Sequence, residues 1–68
     1  MNVKDAVWQL FRAVEKRKLV ETADEYKFYK NHVHYCETIA RQNGASEELI
    51  ALAYQGNGFL LQAKMGAL

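Results

Sequence analysis

Apolar residues recur along this chain at helical spacing in three stretches, and the polar residues between them carry the signals that start and stop helices. Val3, Val7, Leu10 and Val14 fall at steps of four, three and four, which places them on one seam of a helix. Ala6, Phe11 and Ala13 widen that stripe, and Trp8 lies off it. Lys4, Asp5, Gln9, Arg12, Glu15 and Lys16 occupy the other side. Lys16-Arg17-Lys18 then falls in the last turn, where cations complement the partial negative charge of a helix C-terminus.

A second start follows at once. In Thr22-Ala23-Asp24-Glu25 the Thr hydroxyl can accept the backbone N–H of residue 25, and the Glu25 side chain can reach back to residue 22. The helix so begun runs to Gln42, because Asn43-Gly44 supplies a residue that enters the left-handed region and ends helices. At roughly 1.5 Å per residue it is roughly 30 Å long, which predicts the spine of the protomer. It carries two adjoining seams, Tyr29, Val33, Cys36, Ala40 and Phe28, His32, Tyr35, Ile39.

Ser46 is the next N-cap, with Glu47 and Glu48 in the first turn. Gly56-Asn57-Gly58 interrupts the helix that follows, at about 1 kcal/mol for each Gly in a helix interior. Ala53, Gly56, Leu60, Ala63 and Ala67 nevertheless keep helical spacing across it, which predicts a continuous or slightly kinked helix with a stripe of small residues. The expected fold is therefore all-α, a single domain over residues 1–68. Its three helices are expected at about 3–19, 23–43 and 46–66, the second and third forming an antiparallel hairpin across a short link. The absence of proline agrees with helix nearly throughout.

Size and composition add a requirement. The chain has 68 residues and one cysteine, so no internal disulfide can reinforce a small core. From Leu49 to Leu68 only Lys64 is charged, while a surface helix ordinarily has a charged outer side. Homo-oligomerisation, most simply a two-fold dimer, is the expected cover, through Leu52, Ala53, Gly56, Phe59, Leu60 and Ala63. Gln55, Asn57, Gln62 and Lys64 break the apolar run, so no membrane span or membrane partner is expected. A free cysteine and an N-terminus without a signal-peptide layout point to the cytoplasm.

Candidate chemistry is sparse. His32, His34 and Cys36 alternate, but on a helix His34 points away from the other two, and two ligands do not close a tetrahedral site. No metal, cofactor or catalytic residue is expected. Ile39 to Ile50 resembles the helix-turn-helix pattern, with Ala40 four residues before Gly44 and an aliphatic residue at Ile50. Within residues 37–55, this resemblance implies a DNA-binding regulator with Arg41, Gln42 and Ser46 as contacts. Asn43 replaces an apolar residue of the pattern, and Glu47 and Glu48 would face phosphate. Tyr26, Lys27, Tyr29 and Lys30 form a further candidate surface, for a partner or for a nucleotide or other small anion. A net charge of +1 argues against a polyanion partner. The expected function is a non-enzymatic interaction or regulatory protein that binds a larger partner protein. DNA binding is the first alternative and small-ligand binding the second.

Overall fold

The structure, a computed structural model, describes residues 1–67; Leu68, the end of the apolar C-terminal stretch, lies outside them. Every described element is a helix: α1 (Val3–Lys18), α2 (Ala23–Gln42), α3 (Glu47–Gln55) and α4 (Gly58–Gly66). Each begins on a polar side chain that takes a backbone N–H three residues ahead. Asn2 accepts from Asp5 at 2.8 Å, Thr22 from Glu25 at 3.1 Å, Ser46 from Leu49 at 3.2 Å and Asn57 from Leu60 at 3.0 Å. One donor that a helix start would otherwise leave unpaired is thereby satisfied at all four.

The expected third helix is two helices. Gly56 has φ +73°, a left-handed residue that closes α3, and Asn57 opens α4. A Cβ on Gly56 would also lie 2.5 Å from Lys18 Nζ and 2.7 Å from Glu15 Oε1, so α1 occupies the space a side chain would need. The spacing of Ala53, Gly56, Leu60, Ala63 and Ala67 therefore marks no single face: Ala53 is buried on α3, whereas Leu60, Ala63 and Ala67 stand exposed on and just after α4.

The expected hairpin of the second and third helices is also not what forms. α1 packs antiparallel along α2 across the short link at Leu19–Thr22, and α3 crosses α1. α4 folds back on α3, where Lys64 Nζ near its end meets Glu48 Oε1 near the start of α3 at 2.9 Å. The corner between α2 and α3 explains the pairing. Gly44 takes φ +92°, and the Ala45 N–H reaches the Ala40 carbonyl at 3.0 Å while Gly44 bonds Arg41 at 3.1 Å. That C-terminal motif swings α3 off the line of α2 and onto α1. Asn43, the misfit of the helix-turn-helix pattern, donates its amide to the Ile39 carbonyl at 2.8 Å and so completes the same corner.

The centre of the molecule is α1 rather than the longer α2. Ala6, Val7, Leu10, Ala13 and Val14 are all buried there. α2 spans 20 residues of a body 38 × 23 × 16 Å, but only Val33, Cys36 and Ala40 on it are buried. Leu49, Ile50 and Ala53 from α3 and Leu61 and Met65 from α4 complete one core. Among the described residues, no helix is long and apolar enough to cross a membrane.

Candidate functional site

Two side-chain arrangements remain after the core is built, an apolar outer side on α4 and a cationic, aromatic side where α1 meets α2. On α4 the buried Leu61 and Met65 lie one turn apart, so residues 59, 60, 63 and 67 project the opposite way. Phe59 is 84% exposed and Leu60 44%, and Ala63 and Ala67 are exposed beside them. No charge lies among them. Of the six residues expected to form a self-association seam, Phe59, Leu60 and Ala63 share this surface. The other three do not, because the chain turns at Gly56. Ala53 is fully buried in the protomer's own core, Leu52 packs half-buried against that core, and Gly56 lies under Glu15 and Lys18.

Most of the second seam of α2 faces outward, with Ile39 at its end packed partly buried against the core. Phe28 and Tyr35 are 64% and 62% exposed. The rings of Phe28 and His32 are nearly parallel, with centroids 6.2 Å apart, and those of His32 and Tyr35 are 6.5 Å apart. The His32 Nε2 sits 3.6 Å from Cys36 Sγ, which fixes the imidazole. Beside this ladder, a cleft of about 200 Å³ is lined by Gln9, Arg12, Ala13, Lys16 and His32. A larger one of about 500 Å³, lined by Met1, Asp5, Trp8, Gln9 and Arg12, shares Gln9 and Arg12 with it.

The other candidate residues lie elsewhere. Tyr26, Lys27 and Lys30 are exposed on α2, and Tyr29 is half-buried with its ring edge-on to Phe28 at 5.2 Å. The corner that resembles a helix-turn-helix does form, with Ala40 and Ile50 buried across Gly44. Arg41, however, is held by two carboxylates. Its Nε donates to Glu37 Oε2 at 3.1 Å and its Nη atoms to Glu47. Ser46 Oγ is engaged in capping, Gln42 is exposed, and α3 presents Glu47 and Glu48 outward. A guanidinium so neutralised, beside two exposed carboxylates, is poorly placed to meet a phosphate backbone.

The same residues tie the corner together. The Tyr54 hydroxyl donates to Glu37 Oε1, linking the end of α3 to the middle of α2. Spacing alone does not reveal this pair, since residues 37 and 54 belong to different periodic segments. The Tyr54 hydrogen bond and, behind it, Arg41 hold the Glu37 carboxyl below its ordinary range, and the Arg41 bond does the same for Glu47. Burial pushes the Cys36 thiol up, which disfavours the nucleophilic thiolate. Among the described residues, no three His, Cys, Asp or Glu side chains stand close enough together to hold a metal ion. No protein-family model matches the chain, and neither a curated protein nor a solved structure is similar to it at a significant level.

Proposed function

We propose that this chain is a non-enzymatic interaction protein of the cytoplasm, and that the outer side of α4 is its contact surface. The observation that carries this reading is the exposure of Phe59 and Leu60 on a helix whose opposite side is already buried. Burying a Phe or Leu side chain contributes about 1.5–3 kcal/mol, a large return for a chain of this size. A second copy is the first occupant, because an uncharged surface meets itself across a two-fold axis without like-charge repulsion. One face of a nine-residue helix is small beside the roughly 800 Å² per partner of a standard interface. The pairing is therefore reversible, and a larger protein with an apolar groove competes for the same surface, which gives the regulatory step. A buried, unreactive Cys36 suits a reducing compartment.

Sedimentation of the protein at tens of micromolar against Phe59→Glu tests the reading. Phe59 contributes little to the monomer's core, so the variant should remain fully helical. A concentration-dependent dimer that the variant abolishes is the expected result. A monomer at every concentration, with Phe59→Glu indistinguishable from it, overturns the self-pairing on which the competition depends.

A further inference from the structure

We propose that the cleft where α1 meets α2 binds a phosphate-linked nucleobase, as a single-stranded oligonucleotide or as a free nucleotide. No residue of α4 lines it, and it stands independently of the pairing above. Three observations carry it. The first is charge: among the described residues, every ion pair involves Lys18, Arg41 or Lys64, so neither Arg12 nor Lys16 is matched by a carboxylate. These two cations stand one turn apart on α1 and line the smaller cleft together, with Ala13 as its floor. The second is shape: the two clefts share Gln9 and Arg12 and so form one trough along α1.

The third is the aromatic ladder beside the smaller cleft, which it joins at His32. Phe28, His32 and Tyr35 present three ring planes tilted by only 11° and 21° from one another. A run of parallel exposed rings beside unpaired cations offers stacking for bases and charge for phosphates, in a form that tolerates any sequence. An apolar protein partner would instead have to strip water from Arg12 and Lys16 without neutralising them. Asp5 at the far end of the larger cleft sets a polarity. Its carboxylate repels an anion, so the phosphates sit at Arg12 and Lys16, between a base on the ladder at His32 and a base toward Gln9 and Trp8. The ladder from Phe28 to Tyr35 extends roughly 10 Å along α2 at about 1.5 Å per residue, which favours a strand over a single base.

Trp8 is the only tryptophan and lines the trough, so its emission reads occupancy directly. The full chain is titrated with a single-stranded DNA of about ten nucleotides, and separately with adenosine monophosphate. Quenching by either probe is expected, with the tighter of the two identifying the source. For two phosphate contacts to a single strand, raising salt from 50 to 200 mM should weaken DNA binding about sevenfold. The double variant Arg12→Glu/Lys16→Glu replaces exposed side chains and should keep its helix content while losing the quench. Lys30→Glu alters charge away from the trough and should retain it. No change in Trp8 emission with either probe overturns the proposal, as does an equal loss of binding in Lys30→Glu and in the double variant.

Discussion

Tyr54 shows how much one side chain decides at this corner. Burial first, and then its bond to Glu37, push its hydroxyl from an ordinary 10.0 up to about 12. Between pH 10 and 12 the unfolded chain has released a proton that the folded chain still holds. Stability is therefore fully present below that window and falls across it. Tyr54→Phe should remove this component of the alkaline decline in a pH series of urea unfolding. At neutral pH it should cost about 1 kcal/mol, the usual worth of a hydrogen bond. The Thr22 cap was readable because its partner lies three residues away, though among the described residues Glu25 makes no return bond to Thr22. The Asn57 cap had the same form but was hidden inside an apolar run. The Tyr54–Glu37 bond spans 17 positions and has no local signature at all.

At the scale of elements, the break between α3 and α4 rests on Gly56. A residue with a side chain at φ +73° pays roughly 1–2 kcal/mol for the left-handed conformation. Gly56→Ala should destabilise the protein by about that much in equilibrium unfolding, with Glu15 and Lys18 displaced to make room. α4 itself is held by Leu61, which is fully buried, and by Met65. Leu61→Ala should cost about 2–5 kcal/mol. Amide exchange should then rise first across residues 58–66, because a short helix with one buried side has little else to hold it. Periodicity located all of these helical segments, yet it treated a preserved spacing as a preserved axis. The αL glycine followed by an N-capping asparagine was the contrary signal, and it outweighs spacing when the turn can dock against a neighbour such as α1.

For the whole molecule, a stability of roughly 0.05–0.15 kcal/mol per residue leaves a chain of this size little margin. Any association that buries Phe59 and Leu60 should then raise the unfolding temperature with protein concentration. Ala63 stands exposed on the same side of α4, so Ala63→Cys should form a cross-linked dimer under mild oxidation. Cys36 should stay unreacted, since it is buried and its thiol is pushed up. Non-reducing electrophoresis of the Ala63→Cys protein, with the unaltered chain as control, reads this outcome. A second surface, the trough beside the α2 ladder, lies outside that contact, so its occupancy should not alter the cross-linking.

What the sequence by itself determined was local: the all-helical class, the seams, the caps at Thr22 and Ser46, and the stop at Gly44. Each depends on residues no more than about one helical turn apart. The excess of apolar residues on the last stretch was equally legible, because a helix that lacks a charged side is visible without knowing its neighbours. Tertiary structure alone decided which helices pair. It made α1 the centre, sent Ala53 inward and Phe59 outward, and brought Arg12 and Lys16 beside His32. Those outcomes turn on the direction in which two glycine corners launch the next helix. A few degrees at Gly44 or Gly56 moves every later side chain, and no spacing within a helix records it.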